Sequence, residues 1–206
     1  MKKLLSLIMA LMCLSAQVRA QAPDAKKVKE IEDYLNNIKT IQADFVQTAS
    51  NGSMAEGKIY IAKPNKIRME YDDPTSVLIV GDGSFIVYND KELDQVTHID
   101  YDDIPATLIL ANDIKIDGKN LKITDYYQDA GSTTLTLEYP QKPDISPITL
   151  TFENEPLDLK QWKVIDPQSV EVTVSLYGAV KDAKLNSDLF KFKKSRNNPL
   201  NYKNKK

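Results

Sequence analysis

The chain has 206 residues, of which 42% are hydrophobic and 27% charged, and its formal net charge is −2. A single histidine excludes sites built from several histidines, and a charge balance this close to neutral gives no electrostatic reason to bind nucleic acid. The one cysteine, Cys13, lies in the first 20 residues, so the rest of the chain has no thiol for a disulfide, a nucleophile or a metal ligand.

Residues 1–20 have the three parts of a secretory signal peptide. Two lysines precede an apolar core at positions 4–14, and small residues occupy the expected cleavage site after Ala20. The core is shorter than the roughly 20 residues that span a bilayer. We therefore expect cleavage and export, which leave residues 21–206 as a single domain with 24 basic and 29 acidic residues.

The exported chain is predicted to open with an amphipathic helix. Asp24 is a plausible N-cap, because its carboxylate can accept from the first free backbone N–H groups. Five apolar residues then recur at the spacing of one helix face: Val28, Ile31, Tyr34, Leu35 and Ile38.

From Ile41 onward the apolar period changes to two, which predicts strands. Turn residues such as Asn51-Gly52 and Gly81-Asp82-Gly83 separate the segments. Short links between consecutive strands favour an antiparallel meander. The predicted strands lie near 41–49, 54–62, 66–72, 76–80, 84–89, 93–99, 121–127, 133–139, 147–153, 157–165 and 170–177.

An apolar insert interrupts this pattern at residues 102–119. Pro105 suits the first turn of a helix, and residues 106–111 are predicted to form a short one that carries Leu108, Ile109 and Leu110. A helix of about two turns is not stable alone in water. We therefore expect it to lie against another part of the protein.

The strands carry one apolar face each. Ile67, Met69 and Tyr71 alternate with charged residues, and the later strands repeat this pattern. About eleven such strands can form a sandwich, a closed barrel or one strongly curled open sheet covered by helices. Alternation alone leaves these three architectures open.

Five segments stand in a distinctive order along the exported chain. They are IQADFVQ at 41–47, EGKIYIAKPNKIRMEY at 56–71, IVGDGSFIVYN at 79–89, DDIPATLIL at 102–110 and LFKF at 189–192. Behind a signal peptide, they resemble the ordered landmarks of the periplasmic lipoprotein carrier family (LolA). The match covers most of the exported chain, from the first helix to about Phe192.

The resemblance implies a mainly β fold: a single strongly curled antiparallel sheet forming an incomplete barrel, covered by an N-terminal helix and a short helical lid. It also implies a non-catalytic carrier in the periplasm of a Gram-negative bacterium, without cofactor or metal. Such a carrier takes acylated lipoproteins from an inner-membrane ABC transporter to an outer-membrane receptor. We expect a monomer.

On this interpretation, side chains of several strands line a cavity for acyl chains, and the insert closes it. The expected lining residues are Ile67, Met69, Tyr71, Phe85, Val87, Leu150 and Phe152. The expected lid residues are Leu108, Ile109 and Leu110.

Lys63 stands where the family commonly has an arginine that bonds to the lid backbone. Lysine offers three donors on a point charge instead of a planar fork. Two alternatives stay open: a weaker latch formed by Lys63, or a latch shared with Arg68.

A β-rich periplasmic hydrolase or signalling module that shares the curled fold is the alternative. The lone His98 and the acidic pairs Asp72-Asp73 and Asp102-Asp103 are its candidate groups. Both pairs border a proline step, where aspartate commonly begins turns or caps helices.

The basic C-terminus, about residues 195–206, is expected to be a solvated tail or a docking arm for an anionic partner.

Overall fold

The computed structural model describes residues 21–166 and 168–193 of the chain. The predicted signal peptide, residues 1–20, and the basic tail, about 195–206, lie outside the described residues. In the described part of the chain, no helix combines the length and the apolar composition that crossing a membrane requires.

The first element is the predicted amphipathic helix, α1, Ala25–Asn37. The Asp24 carboxylate caps it by accepting from Lys26 N at 2.9 Å. Ile31 and Leu35 are buried beneath α1, while its charged face is turned to solvent. The helix therefore covers the sheet as the sequence predicts.

Eleven strands follow, close to the predicted bounds. They are β1 Thr40–Ala49, β2 Met54–Ala62, β3 Lys66–Tyr71, β4 Val77–Asp82, β5 Ile86–Asp90, β6 Gln95–Ile99, β7 Lys122–Gln128, β8 Ser132–Glu138, β9 Ile148–Asn154, β10 Leu157–Ile165 and β11 Glu171–Lys181.

All eleven strands belong to one antiparallel sheet in the order β6-β5-β4-β3-β2-β1-β11-β10-β9-β8-β7. Ile86 on β5 and Trp162 on β10 line the same cavity although five strands separate them in this order. The sheet is therefore strongly curled. Its edges β6 and β7 do not pair with each other among the described strands, so the barrel is incomplete. The curled open sheet is confirmed, and the sandwich and the closed barrel are excluded.

Two short segments complete the structure. The lid segment, residues 101–116, connects the edges β6 and β7 and contains 3-10 helices at Tyr101–Asp103 and Pro105–Leu110. The insert thus forms a six-residue 3-10 helix at the predicted place. The C-terminal strap, residues 186–193, contains a 3-10 helix at Ser187–Phe190 and packs on β3 and β4.

Candidate functional site: an apolar cavity beneath the lid

A cavity of about 180 Å³ lies between the lid segment and the concave face of the sheet. Strands β3 to β6 supply one wall, and β10 and β11 supply the other. Its lining residues are Gln47, Ile67, Met69, Tyr71, Ile79, Ile86, Tyr88, Ile99, Ile104, Ala106, Thr107, Ile109, Leu110, Trp162, Val164, Val172 and Val174.

The lining is almost wholly apolar and contains no acidic or basic side chain. The Thr107 hydroxyl already bonds within the lid segment, where it donates to Ile104 O at 2.7 Å. Burial raises the pKa of Tyr71, and the neighbouring Tyr88 adds to this rise. A site of this chemistry suits hydrocarbon and disfavours ions.

The structure brings Ile67, Met69 and Tyr71 together on the cavity wall. It places Leu150 and Phe152 elsewhere on the same concave face, fully buried in the packed core. There Phe152 meets the ring of Tyr34 on α1 edge to face, with centroids 5.7 Å apart. The helix thus fills the part of the barrel that these two residues occupy.

Phe85 and Val87 lie on the outer face of the sheet, against the expectation that they line the cavity. Val87 pairs with His98 on β6, and the Phe85 and His98 rings are 4.8 Å apart. Their neighbours Ile86 and Tyr88 line the cavity instead. On the outer face, Val87 is buried beside its partner Val80 on β4, the strand on which the strap with its buried Phe190 packs. Both faces of β5 therefore carry apolar residues.

The three lid residues are all buried, but they do not share one direction. Ile109 and Leu110 line the cavity. Leu108 lies instead along a second hollow with Leu121 and Tyr139. The lid segment therefore has an inner apolar side and a separate contact on its other side.

The turn between β2 and β3 tethers the lid segment through Asn65. Its backbone N–H donates to Leu110 O at 3.0 Å, and its carbonyl accepts from the Tyr101 hydroxyl. The Tyr101 hydroxyl also accepts from Gly83 N at 3.2 Å. The tether therefore depends on main-chain groups of the turn and not on the side chain that precedes Pro64.

Lys63 reaches α1 and not the lid. Its Nζ donates to Leu35 O at 2.5 Å, near the C-terminal end of the helix. Burial lowers the pKa of Lys63 to about 8, and the charge of Lys39 contributes in the same direction. Arg68 lies on the outer face, where it pairs with Glu70 and donates from Nη1 to Leu189 O of the strap at 3.1 Å.

Further tethers hold the lid segment to α1. Asn36 donates from Nδ2 to Ile114 O at 2.9 Å and accepts from Ile114 N at 2.7 Å. The Glu32 carboxylate accepts from Ile116 N at 2.8 Å. From the far side, the Tyr139 hydroxyl donates to Pro105 O at 2.9 Å. Sequence reasoning missed these residues, whose partners lie far away along the chain.

Sequence reasoning also missed four cavity-lining residues on β10 and β11, namely Trp162, Val164, Val172 and Val174. Alternation of valines along β11 was the available signal, since it marks one buried face. This pattern shows which face of β11 is buried, but it does not show which strands lie opposite that face across the cavity.

The groups considered for catalysis lie apart from the cavity. His98 is on the outer face, and Asp102 pairs with Lys142 at 2.7 Å. Asp72 and Asp73 are exposed in the turn after β3. Within residues 21–166 and 168–193, no group of three or more histidine, cysteine or acidic residues could hold a metal ion.

Comparison with known proteins gives a family match. The sequence profile of the family described as outer membrane lipoprotein carrier protein LolA matches residues 36–193. An uncharacterized protein of Rickettsia prowazekii (strain Madrid E) is 28% identical over 94% of this chain and 88% of its own length. An outer-membrane lipoprotein carrier protein of Chromobacterium violaceum is 40% identical, but over only 38% of this chain and 39% of its own length.

Among solved structures, a DUF1329 family protein from Desulfovibrio piger matches with a TM-score of 0.50 and 9% sequence identity. The match covers 80% of this chain and 95% of that one. At this identity the likeness concerns the fold alone.

Proposed function

Because the chain belongs to the outer membrane lipoprotein carrier protein family (LolA), we propose that it binds the acyl chains of lipoproteins in the cavity beneath the lid segment. The protein would carry them through the periplasm from an inner-membrane ABC transporter to an outer-membrane receptor. We propose that it acts as a monomer, makes no contact with nucleic acid and performs no chemistry on its cargo.

The lining of the cavity is the observation that carries this proposal. Burial of each methylene group is favourable by about 0.8 kcal/mol, so an acyl chain leaves a membrane readily only for an environment of similar character. A wall made mainly of aliphatic side chains with Trp162 and two tyrosines, in which Gln47 and Thr107 are the other polar residues and no group is ionised, offers that environment.

The volume of the cavity supports a lid that moves. An apolar cavity of roughly 150 Å³ holds benzene, so about 180 Å³ is much less than a multiply acylated cargo needs. Loading would therefore displace the lid segment. The segment is held by its buried apolar residues and by hydrogen bonds with Asn36, Glu32, Asn65 and Tyr139, each of modest net strength.

The position of His98 argues against a hydrolase that works on a ligand in the cavity. Its ring packs on Phe85 at the outer face, with the sheet between it and the cavity. A water molecule activated by this histidine would lie on the outer face of the sheet and could not reach a ligand in the cavity.

Binding of a fluorescent fatty-acyl probe to the exported form, residues 21–206, tests the proposal. We expect saturable binding and at least tenfold weaker binding after Met69→Glu, because a carboxylate in the apolar wall must be desolvated or protonated. Thr48→Glu is the matched control, since Thr48 is exposed on the outer face of β1.

The same preparations, recovered from a Gram-negative periplasm, should contain co-purified lipoprotein for the wild type and Thr48→Glu but not for Met69→Glu. Wild-type protein that binds no acyl probe would contradict the proposal. If Met69→Glu unfolds the protein, Ile67→Glu provides the second test on the same wall.

A further inference from the structure

A second pocket opens at the end of the barrel away from the lid tether. This mouth pocket has a volume of about 260 Å³ and is reached past the exposed residues Ser53 and Met54 at the start of β2. The Asn65 tether follows the opposite end of β2. At about 3.3 Å per residue, the nine residues of β2 separate the two places by roughly 26 Å.

Three side chains line both the mouth pocket and the apolar cavity: Gln47, Tyr71 and Tyr88. They project from β1, β3 and β5 to the concave face, so they form a polar boundary between the two spaces. On the cavity side the lining is aliphatic and aromatic. On the mouth side it also includes Ser53 and Thr75.

The boundary presents free hydrogen-bond donors. The Tyr71 hydroxyl donates to Gln47 Oε1 at 2.7 Å, which fixes the orientation of the amide and leaves its Nε2 group without an acceptor in the described part of the chain. The Tyr88 hydroxyl likewise bonds to none of the described residues. Both donors are therefore available to an oxygen that enters the boundary.

The mouth pocket has no ionised side chain in its lining. A carboxylate or phosphate bound there would lose hydration without gaining a cation, which is costly. A neutral carbonyl needs only donors. The chemistry of the boundary therefore fits an ester or amide and disfavours a free fatty acid.

We propose that Gln47 and Tyr88 donate to the carbonyl oxygen of a neutral acyl ester or amide, with Tyr71 as a positioning residue that holds the Gln47 amide. The hydrocarbon chain extends from this point into the apolar cavity. The polar remainder of the ligand leaves through the mouth pocket. This inference rests on the proposed function, because it assigns the boundary to the same acylated cargo.

Two lipids that differ only at the carbonyl test it. The probes are 1-monomyristoylglycerol and its ether counterpart 1-O-tetradecylglycerol, which has the same chain length and headgroup but no carbonyl. Both compete with a neutral fluorescent dye for the exported wild-type protein. We expect the ester to bind about tenfold more tightly than the ether, as one or two hydrogen bonds to the carbonyl would give.

Two variants remove the donors with little change of shape. Tyr88→Phe removes a hydroxyl that has no acceptor among the described residues. The double change Gln47→Leu with Tyr71→Phe replaces both partners of one hydrogen bond, so that neither is left unpaired. We expect each variant to lower the ester-to-ether ratio about threefold, because each removes one of the two donors, while the ether affinity changes less than threefold. Tyr177→Phe, at an exposed tyrosine on the outer face, should leave the ratio unchanged.

The outcomes separate the two proposals. Equal binding of ester and ether by the wild type, or a ratio that both variants preserve, would overturn this inference and leave the proposed function standing. If neither lipid displaces the dye, the proposed function is overturned and this inference with it.

Discussion

Phe45 and Tyr71 meet edge to face above Gly57, with ring centroids 5.0 Å apart. Gly57 on β2 pairs with Phe45 on one side and with Tyr71 on the other. The rings touch because the glycine between them has no side chain. A Cβ atom at this position would overlap the carbonyl oxygen of Glu70, so the backbone of β3 leaves no room for a side chain here.

Gly57→Ala should therefore destabilise the protein. We expect the free energy of unfolding to fall by about 2 kcal/mol or more, as overpacking in a core does. Urea denaturation followed by circular dichroism measures the change. Gly131→Ala is the control, because a Cβ there would meet only Asp129 Oδ1 at an ordinary 3.7 Å. Equal stability of the two variants would contradict this account of the close approach.

Lys63 should make the stability of the protein depend on alkaline pH. Burial lowers its pKa in the folded state to about 8 from the usual 10.5, so the unfolded chain binds more protons between these two values. The free energy of unfolding of the wild type should therefore rise, relative to Lys63→Met, as the pH increases from 8 toward 10.5. Urea denaturation of both proteins at several pH values measures the difference.

Lys63→Arg gives a sharper comparison for the same residue. Arginine stays protonated throughout this range, so the variant should lack the alkaline gain even if it keeps the hydrogen bond to Leu35 O. Lys66→Met on β3 is the surface control. If the wild type and Lys63→Arg respond identically to pH, Lys63 is not the group that titrates.

Asn36→Ala should loosen the lid segment. The change removes two hydrogen bonds to the backbone of Ile114, each with a net value of about 1 kcal/mol. Amide hydrogen exchange in residues 104–116 should become roughly tenfold faster or more, while exchange in β1 stays the same.

The matched control is Asn51→Ala, which also removes two side-chain hydrogen bonds, in this case to Ser53 in an exposed turn. Its effect should remain local to that turn. Unchanged exchange in the lid segment of Asn36→Ala would mean that other contacts hold the segment in place.

Phe190→Ala should destabilise the fold without weakening acyl binding. Phe190 is buried on the outer face together with Val80 and Val87, apart from the main core and from the cavity. We expect a loss of about 3 kcal/mol in the free energy of unfolding. The affinity for the acyl probe should change less than twofold. Phe192→Ala, which is less buried, should cost less stability.

The sequence predicted the strands well because period-two alternation and turn residues are local signals. It could not predict which face of β5 points inward. Phe85, Ile86, Val87 and Tyr88 are all apolar or aromatic, since the cavity lies on one side and the other side borders β4, on which the strap packs. Alternation of apolar and polar residues identifies the buried face of a strand only when the opposite face is exposed to solvent.

Sequence patterns also cannot distinguish residues of the packed core from residues that line a cavity. Leu150 and Phe152 have the same alternating pattern as Ile67 and Met69, but only the latter pair borders empty space. The difference arises from what covers each part of the sheet: α1 packs against Phe152, while the lid segment leaves a gap above β3. Such coverage depends on contacts distant in sequence, which a local pattern does not contain.

The separation of β6 from β7 bears on how much this protein can hold. A closed β-barrel could widen its interior only by breaking backbone hydrogen bonds between two strands. Here the sheet is split, and the peptide that bridges the split is the lid segment itself. The length of this segment therefore limits how far the edge strands β6 and β7 can separate. Shortening it would reduce the size of the ligand that fits without changing the residues that line the cavity.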